Sequence, residues 1–102
     1  MHNFTYLNLI GDGLHNFIDG MIIVAAFAIS PETGAATVVA VAAHEIPQEL
    51  GDFGVLIHGG FSRAKALMWN FISSATAILG AIVGYLLISS FDAITAFLLP
   101  FA

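Results

Sequence analysis

Residues 11–29 read GDGLHNFIDGMIIVAAFAI. Residues 21–29 of this stretch carry no polar side chain at all, and the ten before them concentrate their polarity at Asp12, His15, Asn16 and Asp19. Those four stand at i, i+3, i+4 and i+7, which is one face of an α-helix. A helix that is apolar all round except for one stripe of carboxylates and imidazole is poorly matched to water. It suits a bilayer, with the stripe turned toward other protein.

The rest of the 102-residue chain has the same character. It is 59% hydrophobic and only 9% charged, with a mean hydropathy of +0.95, whereas soluble domains are about 25% charged. A domain this small has too much surface to clothe it with so few polar groups. Three apolar spans are predicted, at 6–29, 35–57 and 66–88, each near the roughly 20 residues that cross a ~30 Å hydrocarbon core as a helix. The predicted breaks are a loop at Ser30-Pro31-Glu32-Thr33-Gly34, the pair Gly59-Gly60, and a turn at Ser89-Ser90-Phe91-Asp92. Residues 93–102 are apolar again, too few to cross, and read as a fourth span cut short. The runs are continuous rather than alternating, and lipid admits only helices and closed barrels. The expected fold is therefore all-α. It is a polytopic membrane helical bundle of three full transmembrane helices plus a truncated fourth, one partial transmembrane domain over residues 1–102.

Several function classes fall away. There is no cysteine, so thiolate metal sites and disulfides are excluded. A net charge of −5 with two basic residues leaves no patch for nucleic acid. Residues 1–9 lack the basic start and cleavage site of a signal peptide. Arg63 and Lys65 both lie between the second and third spans, so the positive-inside rule makes the 59–65 loop cytoplasmic. Trp69 then sits at the adjoining interface, Glu32 and Asp92 face outward, and the sequon Asn3-Phe4-Thr5 is idle on the cytoplasmic side.

Five of the seven acidic residues fall inside predicted spans: Asp12, Asp19, Glu45, Glu49 and Asp52. Each costs a few kcal/mol in a bilayer on insertion scales, and no Lys or Arg shares their helices. Protons or metal cations must neutralise them. The spacing favours metal: His44, Glu45, Gln48, Glu49 and Asp52 crowd one side of the second span, within an arc of roughly 140°, to match the stripe on the first. Imidazole nitrogen with carboxylate and amide oxygen is a set suited to zinc, and also to iron and manganese. Pro47 interrupts the second stripe and withholds a hydrogen bond from the Ala43 carbonyl, a feature read either as a packing kink or as a freed oxygen for a cation or water. His2 and His58 lie outside both stripes and are read as bystanders. Gly80 and Gly84 form a GxxxG that lets another helix approach closely. Asn70, Ser73, Ser74 and Thr76 are read mainly as interhelical hydrogen-bond partners, with Asn70 and Ser74 as candidates for a metal path.

GDGLHNFIDG at 11–20 resembles the fourth transmembrane helix of ZIP family metal transporters, and HEIPQELGDF at 44–53 resembles the fifth. The resemblance implies an eight-helix parent of which this chain holds helices four to six and the start of seven. It implies transport of Zn²⁺ into the cytoplasm, or in some members of Fe²⁺, Mn²⁺ or Cd²⁺, by an elevator-like or rocking motion of helix groups. It also implies a metal centre between helices four and five, binuclear in some members. Carried over by motif, His15, Asn16 and Asp19 stand at the HNxxD positions, and His44, Glu45 and Glu49 at positions of HExPHE. Gln48 departs from that motif, replacing its second histidine by a weaker amide donor. The expected metal residues are thus His15, Asn16, Asp19, His44, Glu45, Gln48 and Glu49, with Asp12, Asp52, Asn70 and Ser74 as second-layer or pathway groups. The expected partners are the divalent ion, lipid, the remaining helices of the parent and, as a further candidate, a second copy in a homodimer. The expected location is the plasma (inner) membrane of a prokaryote.

Two rival classes remain. An intramembrane zinc metallopeptidase needs HExxH, and here the second histidine is Gln48 with Pro47 breaking the turn; the expectation is that the protein is not an enzyme. A proton-coupled or purely structural membrane subunit would keep its carboxylates protonated and release no protons on adding metal.

Overall fold

The computed structural model describes residues 3–101, so the reading of His2 lies outside the described residues. The described chain is helical almost throughout: α1 (Asn3–Ile29), α2 (Pro31–His58), α3 (Arg63–Leu98) and a closing 3₁₀ turn, Leu99–Phe101. The molecule measures 60 × 26 × 17 Å, an elongated bundle with α1 packed against both neighbours and α2 meeting α3 least. The all-α membrane bundle stands. At about 1.5 Å per residue all three helices exceed a ~30 Å hydrocarbon core, and α1 and α3 also have the apolarity to cross one. Large apolar side chains such as Leu7, Leu14, Val39, Leu50, Phe71 and Ile78 point outward, where lipid or further helices would receive them.

Two predicted breaks differ. The loop expected at 30–34 is the single residue Ser30. Its backbone is extended, its hydroxyl accepts from the Thr33 N–H at 3.0 Å, and Pro31 opens α2. Proline at the first helical position loses no bond, because that N–H has no partner in a helix anyway. Pro31 and Gly34 are helix breakers by type, but Ser followed by Pro is also how a helix starts. The second difference is at 89–92, where α3 runs on to Leu98, so residues 93–98 continue the third helix instead of opening a fourth. Ser89, Ser90, Phe91 and Asp92 include neither Gly nor Pro, and the helix gives way only at the threshold of Pro100, which lacks an N–H and restricts the residue before it.

The break at Gly59-Gly60 is as expected. Gly60 has φ +99°, a conformation open to glycine. The Phe61 N–H bonds to the Leu56 carbonyl at 3.0 Å and the Gly60 N–H to that of Ile57 at 3.1 Å, the paired bonds of a Schellman motif. Its hydrophobic contact is present too, since Leu56 and Phe61 are buried together with Ala66. Ser62 then caps α3 through the Lys65 N–H.

Register follows from these joints. The one-residue turn makes α1 and α2 an antiparallel hairpin in which residues equidistant from Ser30 face each other: His15 with Glu45, Asp12 with Gln48, Asn8 with Asp52. α3 runs parallel to α1, matching Leu9 to Ser73, Gly13 to Thr76, Phe17 to Gly80 and Met21 to Gly84. The GxxxG therefore packs on α1. A Cβ at Gly80 would collide with the Phe17 carbonyl, and one at Gly20 with the Ala77 carbonyl. In lipid, close backbone approach of this kind is a main source of helix adhesion, because burying apolar surface gains little there.

Candidate metal centre

The two polar stripes meet halfway along the hairpin. His15 Nε2 lies 3.2 Å from Asp19 Oδ2 on its own helix and 3.3 Å from Glu45 Oε1 on α2. None of these three atoms has a hydrogen-bond partner among the described residues, although each is buried. Unsatisfied polar atoms inside a protein are costly, and a cation at the point where these three converge would satisfy all of them at once. Their spacing fits one. Ligands bound tetrahedrally to zinc at about 2.0–2.2 Å stand roughly 3.3–3.6 Å apart, close to what is seen here. The His44 ring lies tilted against His15 at 5.2 Å between centroids, and one donor atom each from His15, His44 and Glu45 fall within 4.8 Å of one another.

A second group adjoins the first. Donor oxygens of Asp12, Glu45 and Glu49 also lie within 4.8 Å of one another, so Glu45 belongs to both. Asp12 is 5% exposed and Asn16 3%. The Asn16 Nδ2 donates to the Asp12 main-chain carbonyl at 2.9 Å, which leaves its Oδ1 as the atom available to a cation. The Gln48 amide contacts Asp12 Oδ1 at a long 3.5 Å. The arrangement thus offers a nitrogen-bearing subsite and an all-oxygen subsite that share Glu45. Such a pair could bind one or two divalent ions.

The residues singled out beforehand divide clearly. His15, Asp19, His44, Glu45 and Glu49 come together, and Asp12 moves from the periphery into the cluster. Asp52 lies two turns of α2 beyond Glu45 and is held by Asn8 Nδ2 at 3.2 Å, with its other oxygen unpartnered among the described residues. Asn70 Nδ2 bonds to the Glu49 main-chain carbonyl at 3.1 Å, and Ser74 faces the Glu49 carboxylate. His58 lies beside the Phe4 ring, 6.3 Å between centroids, at the open end of the hairpin. Two contributors were not assigned a place at the site. Asn8 extends the α1 stripe by one turn, at i−4 from Asp12, and that spacing could have revealed it. Ser73, read only as an interhelical partner, donates to Asp12 Oδ2 at 2.7 Å; nothing in its own helix marks it apart from Ser74.

A family model described as ZIP zinc transporter matches residues 1–102. The chain is 50% identical over 78 residues to "Zinc transporter ZIP4" of Homo sapiens, covering 76% of this chain and 12% of that protein. It is 49% identical over 78 residues to "IAA-alanine resistance protein 1" of Arabidopsis thaliana, 76% of this chain and 17% of that one. With "Zinc transporter ZIP10" of Homo sapiens it shares 42% over 82 residues, 80% of this chain and 10% of that protein. The chain therefore spans less than a fifth of the length of these relatives. No solved structure gives a significant match.

Proposed function

The chain belongs to the ZIP zinc transporter family, and from that footing we propose that it is part of an integral membrane transporter carrying a divalent metal ion, foremost Zn²⁺, to the cytoplasm. The cargo binds between α1 and α2. His15, Asp19, His44 and Glu45 take an ion in the nitrogen-bearing subsite, Asn16 Oδ1 supports it, and Asp12, Glu45 and Glu49 take an ion in the all-oxygen subsite. Gln48 adds a weaker amide oxygen to the donor set, its nitrogen turned toward Asp12 Oδ1 at a long 3.5 Å. Asp52, Asn70 and Ser74 line the way toward the 59–65 loop, which lies in the cytoplasm.

The observation that carries this reading is the convergence of three buried, hydrogen-bond-free donor atoms at 3.2 and 3.3 Å. In lipid, with no Lys or Arg partner, those carboxylates need a proton or a cation, and the zinc-like spacing of the donors favours the ion. Pairing carboxylates across two helices also suits transport, since each helix holds part of the coordination shell and moving one against the other opens it. Fe²⁺, Mn²⁺ and Cd²⁺ are secondary cargoes compatible with the same donors.

The test is zinc uptake into vesicles by the full-length protein, wild type against His15→Ala and Glu45→Ala. Both variants should lose most of their uptake while reaching the membrane in normal amount. Unchanged uptake in both would remove the site.

A further inference from the structure

Helix α3 is assigned no ligand in either subsite, yet it touches two of the ligand carboxylates, Glu49 through Ser74 and Asp12 through Ser73. Ser73, 6% exposed, donates its hydroxyl proton to Asp12 Oδ2 at 2.7 Å across the α1–α3 interface. The same hydroxyl has a second acceptor in the Leu9 carbonyl, at 3.4 Å. With one proton to give, it favours the shorter bond to the carboxylate, which charge assistance strengthens.

What that bond does follows from the torsion it restrains. The χ2 angle of an aspartate is broad and nearly two-fold, so the carboxylate plane is set by its partners and hardly by its own chain. The other hydrogen-bond donor to the Asp12 carboxylate, the Gln48 amide, stands 3.5 Å from Oδ1, too far to orient it, and the Glu49 and Asp52 carboxyl groups beside Asp12 carry no proton to give when ionised. The Asn16 amide holds the Asp12 main chain and leaves the side chain alone. Ser73 therefore gives the shorter of the two donor bonds to the carboxylate made by the described residues, 2.7 Å against 3.5 Å. It pins Oδ2 toward α3 and turns Oδ1 toward α2, where Glu45 and Glu49 wait.

We infer that Ser73 is a positioning residue for the all-oxygen subsite, and that through it α3 governs whether a hard, oxygen-seeking divalent cation is held beside Asp12, Glu45 and Glu49. This rests on the metal centre proposed above and adds a selectivity to it. The nitrogen-bearing subsite prefers Zn²⁺, whereas carboxylate oxygens alone suit ions such as Mn²⁺. Partners that orient a ligand change metal affinity by about 10–100-fold when removed, and Ser73 stands in that relation to Asp12 only.

The probes are Mn²⁺, followed by loss of its free-ion electron paramagnetic resonance signal, and the first equivalent of Zn²⁺, followed by calorimetry. Both are applied to the full-length protein in detergent. Ser73→Ala should weaken Mn²⁺ binding about tenfold or more and leave Zn²⁺ affinity within about twofold. Ser73→Thr keeps the hydroxyl, and Gly13, opposite it, carries no side chain to crowd it. It should restore Mn²⁺ binding. His15→Ala should do the reverse of Ser73→Ala, losing Zn²⁺ and keeping Mn²⁺. Wild-type Mn²⁺ affinity in Ser73→Ala, equal weakening of both metals, or failure of Ser73→Thr to rescue would each overturn the inference. A wild type that binds Zn²⁺ through His15 but no Mn²⁺ would overturn it while leaving the metal centre intact. A wild type with no His15-dependent Zn²⁺ binding would overturn both.

Discussion

Glu45 is the residue on which both subsites turn, so Glu45→Gln is the most informative single change. The side chain keeps its length and one oxygen but loses its charge. In the nitrogen-bearing subsite it removes the anion that sits 3.3 Å from His15 Nε2; in the other it removes one of three carboxylates. Structural zinc sites bind with about 10–16 kcal/mol spread over four donors, so one anionic donor is worth roughly 3 kcal/mol, and an amide oxygen recovers only part of it. Zn²⁺ affinity should fall about 100-fold, given a factor of ten per ~1.4 kcal/mol. Glu49→Gln touches only the all-oxygen subsite and should leave the first Zn²⁺ equivalent close to wild type. The assay is competition for Zn²⁺ between the purified full-length protein and a chelating dye of known affinity. A Glu45→Gln protein within about threefold of wild type, or one no weaker than Glu49→Gln, would refute the idea that Glu45 is shared. Because Gln preserves volume and Glu45 lies on the hairpin interior, thermal stability without metal should not fall; a carboxylate stranded in lipid is costly, so a small rise is expected.

Gly80→Leu should force α1 and α3 apart, since even a Cβ at that position meets the Phe17 carbonyl; the expected loss is about 1–3 kcal/mol, typical of overpacking, read as a lower melting temperature in detergent. Its counterpart Gly11→Ala meets nothing within 4 Å and should be neutral or stabilising by up to ~1 kcal/mol through helix propensity. Gly60→Ala places a side chain at φ +99° and should cost about 1–2 kcal/mol without altering Zn²⁺ affinity, because the Schellman turn lies about four helical turns from the His15–Glu45 level. Ser30→Ala removes the cap of α2 and should cost about 1 kcal/mol, again measurable as a melting shift.

Much of the architecture could be read from residue order. Continuous apolar runs with a single polar stripe each identify membrane helices, because a backbone in lipid has almost no other way to satisfy its hydrogen bonds. The stripes themselves marked most of the donors, since 100° per residue fixes which side chains share a face. The Gly80–Gly84 pair announced a close crossing, and Gly59-Gly60 a turn. The differences share one cause. At 30–34 and 89–92 residue type alone points to breaks, while a helix end depends on position: Pro31 is harmless at the first helical residue, and Ser89 and Ser90 are tolerated inside a long apolar helix.

What residue order alone determined is the solvent, the secondary structure and the chemistry of each helix face. What it left open is which face meets which, and at what height, because helical periodicity is blind to the neighbouring helix. That was decided by the single-residue joint at Ser30, which brings His15 level with Glu45 and Asn8 level with Asp52, and by small residues that let α3 close on α1. Only with those crossings in place does Ser73 come to lie 2.7 Å from Asp12, 61 residues away, a contact that no pattern within either helix encodes.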